Sequence, residues 1–233
     1  MTIQPELSAS ATSQAVPTVL RADDIHVRWV MPEIFHDLPI HERDDDEAVR
    51  LLEELVDKAL QGAEYQDKTA FGVMCALGLG DLVAAGVEYA GVCVTAVGDT
   101  PCSATVSVTL VDSPDVEGVA GATREIASSL RRIEAGEVSE IELPCGLAVS
   151  CIGTRQEKLP GELTESDESL TFSTAYIRVY VSLPNGTTVV VEMATPNTAA
   201  WDLFSTMFGN TVSSIRLFNA DGSPLITSGT TGT

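Results

Sequence analysis

Apolar and polar positions alternate most cleanly from Ala175 to Ala194, around Pro184-Asn185-Gly186. This pattern predicts a β-hairpin. A two-residue turn at Asn185-Gly186 would set Glu192 opposite Val179 and split the apolar residues between faces. A three-residue loop, Pro184 to Gly186, instead places Val181 opposite Val189, Val179 opposite Val191 and Ile177 opposite Met193. The same register puts Arg178 opposite Glu192 on the other face. Proline suits the first loop position by its fixed φ, and glycine the last, which must be left-handed.

The same reading extends along the chain. His26–Met31 is a strand stopped at Pro32, with a loop to Arg43. Asp44 caps a helix, with Glu47 placed to answer it as a capping box. Asp44, Asp45 and Asp46 face the positive end of its dipole. Val49, Leu52, Val56 and Leu60 follow helical spacing, and Gly62 ends the run. The segment 69–86 is apolar and glycine-spaced without a clean period, and is compatible with helix, loop or strand. Val87–Val97 and Cys102–Val111 pair across Gly98–Pro101, with Val97 opposite Cys102, Cys93 opposite Val106 and Gly91 opposite Val108. Cys93, Thr95, Val97, Cys102, Ala104, Val106, Val108 and Leu110 form the inner face, while Ser103, Thr105, Ser107 and Thr109 face outward.

Ser113-Pro114 starts a second helix with Val116, Val119, Ala120, Thr123, Ile126, Ala127, Leu130 and Ile133 as its stripe and Arg131 and Arg132 in its last turn. Glu140–Ile152 reads as one strand, with Leu143, Cys145, Leu147, Val149 and Cys151 on one face and an edge or bulge marked by Pro144 and Gly146. After an acidic loop, Lys158 to Ser169, and the hairpin, Asn197 caps a helix over Ala199–Phe208 whose Trp201, Leu203, Phe204, Met207 and Phe208 cover the hairpin's inner face. Ser214–Phe218 closes the set as a short strand. Residues 1–20 read as a flexible arm, 21–218 as one domain and 219–233 as a flexible tail. Strands joined by tight turns, with segregated helices, predict an α+β fold: an antiparallel β-sheet flanked by helices.

Composition narrows the function. Hydrophobic residues make up 44% of the 233, but aromatics only 5%, so the core is built from Val, Leu, Ile and Ala. The net charge of −21 disfavours nucleic acid and anionic lipid and favours, if anything, a basic protein partner. The N-terminal residues lack a basic start, an apolar run and a lipidation cysteine, and no stretch of about 20 apolar residues occurs, so a soluble cytoplasmic protein is expected. Cys75, Cys93, Cys102, Cys145 and Cys151 form no C-x-x-C pair and read as reduced, small buried hydrophobes.

Three segments carry a resemblance: Glu142–Val149 (ELPCGLAV), Val181–Gly186 (VSLPNG) and Ala194–Phe204 (ATPNTAAWDLF). With the element order, they resemble small uncharacterised actinobacterial proteins and the PsbP-like fold. That fold is shared by photosystem oxygen-evolving-complex proteins, the Ran-release factor of nuclear import and LpqN-type lipoproteins. The resemblance spans roughly residues 25–218 and implies a PsbP-like sandwich. It supplies no catalytic residue, and the chain departs from the lipoprotein branch in lacking a signal and a lipidation cysteine.

No catalytic signature is present. There is no G-x-S-x-G elbow and no P-loop, and Gly78-Leu-Gly80-Asp81 fails G-x-G-x-x-G because residue 83 is Val. His36 and His41, near Asp37 and Asp44–Asp46, are the nearest approach to a metal ligand set, but their spacing matches no metal motif and the aspartates serve the helix start. Cys145 and Cys151, on an apolar strand face, are poor nucleophiles because burial raises a thiol pKa. No cofactor is indicated. The candidate binding surface is the hairpin's outer face, Tyr176, Arg178, Tyr180 and Glu192, since Arg and Tyr anchor interfaces. A cross-strand Arg178–Glu192 pair is its purely structural counterpart. A non-enzymatic protein-interaction domain is the expected function. The alternatives are a self-associating assembly component and a small-ligand binder or hydrolase using a cleft between the sheet and 69–86.

Overall fold

The computed structural model describes residues 18–133, 135–159, 161 and 168–225. The hairpin is its centre. Strands β8 (Leu170–Ser182) and β9 (Thr187–Thr195) pair in the expected register, Val181 with Val189, Val179 with Val191, Ile177 with Met193 and Arg178 with Glu192. Leu183 N donates to Thr187 O at 2.7 Å, which leaves Pro184–Gly186 as the loop, and Gly186 has φ +85°. The loop is tied down at both flanks. Asn185 Nδ2 donates to Ala22 O at 2.9 Å, and Ser113 N to Gly186 O at 2.8 Å.

Around it lies an antiparallel sheet of seven strands in the order β3-β4-β5-β9-β8-β7-β6. The others are β3 (His36–Asp37), β4 (Val87–Val97), β5 (Thr100–Asp112), β6 (Glu137–Leu143) and β7 (Gly146–Leu159). A second sheet, β1-β2-β10, joins Thr18–Ala22, Ile25–Trp29 and Arg216–Asn219. Its inward residues Leu20, Val27, Trp29 and Leu217, with Phe204, Phe208 and Val212 of helix α4 (Trp201–Ser213), cover the inner face of the large sheet as the main core. The opposite face carries α1 (Asp45–Ala59) and α2 (Tyr65–Ala84) at the β4 end and α3 (Gly118–Arg132) at the β6–β8 end. The fold is α+β, antiparallel sheet flanked by helices, as its patterning predicts.

Several local expectations are corrected. The β4–β5 hairpin closes on two residues, Gly98-Asp99, so Val97 faces Thr100, Cys93 faces Ala104 and Gly91 faces Val106. Gly98 at φ +61° gives the turn whose twist suits a hairpin. The shift is two residues, one full pleat, so the inner face keeps the predicted members. Glu140–Ile152 is not one strand but a second hairpin, with Leu143 paired to Gly146 around Pro144-Cys145. Proline there starts a turn rather than weakening a strand. Cys145 therefore packs in the main core, while Val149 and Cys151 pack under α3. Helix α3 begins at Gly118, not Ser113, because Ser113 is held by the hairpin loop. Strand β1 takes in Thr18–Leu20, read above as the end of the arm. Pro224 bridges back to Phe218 within the tail; residues 1–17 and 226–233 lie outside the described residues.

Two caps also differ in detail. Asp44 Oδ1 accepts from Glu47 N at 3.0 Å, as a cap should, but Glu47 turns away to Arg50. Its expected role falls to Glu42, whose Oε1 accepts from Asp44 N at 3.0 Å. Asn197 does not cap α4. Its Oδ1 accepts from Ser103 N at 2.8 Å, fastening the β9–α4 corner to β5.

Candidate functional site

The helices cover the two ends of the sheet's outer face and leave the centre open. There the register sets Cys151, Arg178, Glu192 and Ser107 in one row, with Tyr180, Val190 and Thr109 in the next. Ser107, Thr109, Val111, Arg178, Tyr180, Val190 and Glu192 line a shallow hollow of about 340 Å³. Of the expected surface, Arg178, Tyr180 and Glu192 line this hollow, whereas Tyr176 is buried in the cluster under α3, because its ring reaches across β7; the charges are occupied. Glu192 Oε2 accepts from Arg178 Nε at 2.6 Å, and its Oε1 from Arg155 Nη1 at 2.6 Å. Arg155 also holds Glu157 at 2.6 Å. Arg178 Nη1 donates to Tyr180 Oη at 3.2 Å. Both guanidiniums lie over the Tyr176 ring, at 5.6 and 5.4 Å from its centroid. Tyr176 Oη donates to Ala135 O, so the ring spans β7 towards the end of α3.

Arg155, the second clamp on Glu192, escaped the sequence reading. It lies in the part of β7 beyond the expected strand end at Ile152, and only the full β7–β8 ladder to Leu159 brings it across.

The histidines do not converge with the acidic residues. His36 is in β3 opposite Val92, and burial, with Lys58 nearby, lowers its pKa. His41 Nε2 lies 2.6 Å from Glu88 O. Asp37 accepts the Tyr89 hydroxyl at 2.7 Å, and Asp44 is the helix cap. Among the described residues no group of three or more His, Cys, Asp or Glu is placed to hold a metal.

Cys145 is buried and its thiol is pushed up to about 11, chiefly by burial; burial raises Cys151 as well. Cys93 is pushed up to about 12 and Cys75 to about 11, again by burial. For a thiol ionising near 8.5 in the unfolded chain but higher in the fold, there is a pH range between the two values in which it is protonated only while folded. Stability should therefore hold below about pH 8.5 and fall as pH rises above it. A lower urea midpoint at pH 9.5 than at pH 7 is the expected result, with an unchanged midpoint counting against it. Cys75, the one thiol not fully buried, should react first with Ellman's reagent.

The second feature lies on α1 and α2. The segment without a period is a helix of 20 residues, and none of them is buried. Its inner side, Phe71, Cys75 and Leu79, is only partly covered, while Val73 (47% exposed), Met74 (55%) and Leu77 (55%) face out. From Ala70 to Ala84 the only charge is Asp81. A helix apolar on all sides normally ends up buried. The missing period was the sequence signal for this, since a helix with no polar side has no periodicity to read. No helix among the described residues is long and apolar enough to cross a membrane. Between α1 and α2 runs a groove of about 460 Å³, apolar along its floor. Gly72 faces Val56 there, and a Cβ on it would meet Val56 Cγ2 at 3.4 Å, an ordinary packing contact.

No family model matches the chain, and no curated protein matches it by sequence. Among solved structures, it is similar to the Saccharomyces cerevisiae Ran-binding protein Mog1p, at 11% identity over 88% of this chain and 96% of that one, with a TM-score of 0.38. This is a distant α+β likeness.

Proposed function

We propose that this chain is a non-enzymatic protein-interaction domain, with the α1–α2 layer as its docking surface. Helix α2 carries the reading: it holds Val73, Met74 and Leu77 in solvent with no polar side to turn outward. Contiguous exposed apolar surface of this kind marks an interaction site in a soluble protein. The concavity beside it is a largely apolar groove whose Asp57 and Lys68 are paired with each other, which favours docking over a hydrolase or small-ligand site. The Tyr176–Arg178–Tyr180–Glu192 face serves in this reading mainly as scaffold, its charges already paired, with its hollow as an ancillary contact. The finer reading is a soluble, cytoplasmic adaptor of the PsbP-like, actinobacterial type, whose single domain runs from β1 to the Pro224 bridge.

The test compares two variants in affinity capture from the native host. Met74→Glu with Leu77→Glu should leave the melting temperature within about 2 °C, because both side chains are exposed, and should lose the captured partner. Arg178→Glu should retain it. A captured set that survives the α2 pair would overturn the assignment, and one lost with Arg178→Glu alone, while that variant still melts cooperatively above the capture temperature, would move docking to the sheet.

A further inference from the structure

We infer that the α1–α2 groove binds an amphipathic helix with a basic polar face, presented by a protein partner. This rests on the reading of the α1–α2 layer as a docking surface and adds the chemistry of its occupant.

The shape comes first. On α1 the groove is lined by Val49, Leu52, Glu53, Val56 and Asp57, a stripe at i, i+3, i+4, i+7 and i+8. On α2 it is lined by Tyr65, Lys68, Thr69, Gly72, Val73 and Ala76. The two stripes meet where Lys68 pairs with Asp57 and Gly72 faces Val56. At 1.5 Å per residue the lined lengths are about 12 and 16 Å, which suits roughly three turns of a third helix. Both walls are helices, whose backbone groups are already paired, so an added strand would find no edge to bind. Helix-in-groove docking, with anchors at i, i+3 or i+4 and i+7, is the mode that fits.

Charge then selects the occupant. From Asp44 to Ala85 the chain has ten Asp and Glu against three Lys and Arg, a net of −7. Those cations are largely taken: Arg50 is held by Glu47 and Glu54, and Lys68 by Asp57 at 2.8 Å. Glu53 stands on the groove wall, exposed, with Glu54 beside it. Within the lining Asp57 pairs with Lys68 and Glu53 stands exposed, so a largely apolar floor inside this acidic layer fits Leu-type anchors flanked by Lys or Arg. A second copy fits badly, because a two-fold interface sets the same patch against itself and brings two −7 surfaces within a Debye length of about 8–10 Å.

The test is an anisotropy titration of the intact chain with three fluorescein-labelled synthetic peptides about 14 residues long. They are a Leu/Lys amphipathic helix, the same composition scrambled, and the Leu/Glu counterpart. The amphipathic Leu/Lys peptide should bind at least about 10-fold more tightly than the scrambled one, roughly 1.4 kcal/mol, and the Leu/Glu peptide more weakly still. Val73→Asp is the decisive variant. It adds negative charge, so unspecific attraction would strengthen, whereas docking on the groove floor should weaken about 10-fold. Glu53→Lys should weaken binding several-fold and flatten its salt dependence. Equal binding of the scrambled peptide, or equal or tighter binding by Val73→Asp, overturns the inference. So does a dimer in light scattering that Met74→Glu with Leu77→Glu abolishes; that result would keep α2 as a docking surface and make the occupant a second copy. Host capture that depends on α2 without any peptide selectivity separates the two readings in the same way.

Discussion

Replacing Glu192 by leucine is expected to destabilise the fold by about 2–4 kcal/mol, read as a lower urea midpoint. Glu192 is only 14% exposed and sits between two guanidiniums, Arg155 from β7 and Arg178 from β8. Its removal leaves both cations half-buried, side by side over Tyr176, with Glu157 neutralising only Arg155. The cost is that of uncompensated charge rather than the worth of a surface ion pair, which would be under about 1 kcal/mol. Replacing the whole cluster, as Arg155→Met, Arg178→Met and Glu192→Leu together, should return most of the loss, because apolar side chains of similar size can occupy the same face. If Glu192→Leu alone shifts stability by less than about 0.5 kcal/mol, the cluster is surface decoration and the sheet patch regains its claim as a free binding surface.

The second large effect is at Gly153. Strand propensity alone favours valine over glycine by up to about 1 kcal/mol. Sterics point the other way and outweigh it. A Cβ on Gly153 would lie 2.6 Å from Tyr176 Oη, 2.8 Å from its Cζ and 2.9 Å from Ala135 O. The phenol cannot swing aside without giving up its bond to Ala135 O and its place beneath both arginines. We expect Gly153→Val to cost about 2–4 kcal/mol, in the range of overpacking plus a lost buried hydrogen bond. Tyr176→Ala in the same chain should relieve part of this, giving a coupling above about 1 kcal/mol in a double-mutant cycle. Strict additivity would show that the tyrosine is not what excludes a side chain there.

Where the chain's behaviour depends on residues a few positions apart, it was legible without coordinates. Pro184-Asn185-Gly186 sets the β8–β9 register because loop chemistry and alternation agree on one pairing. Asp44 caps α1 because its carboxylate needs only the amide three residues on. The α+β class and the covering of the hairpin by Phe204 and Phe208 follow from element order and one apolar stripe.

What the tertiary structure alone decided involves partners distant in sequence. Glu142–Val149 is chemically as good a strand as a turn, and Pro144 starts a turn because Leu143 finds a cross-strand partner in Gly146. Asn197 could cap a helix, yet the amide of Ser103 reaches it first. Arg155 joins Glu192 only through the long β7–β8 ladder. The groove between α1 and α2 sets Gly72 against Val56 and Lys68 against Asp57, contacts between helices that no periodicity records. Sequence pattern tells which side of an element avoids water; which distant element arrives to cover it, or leaves it bare as along α2, is settled by packing in three dimensions.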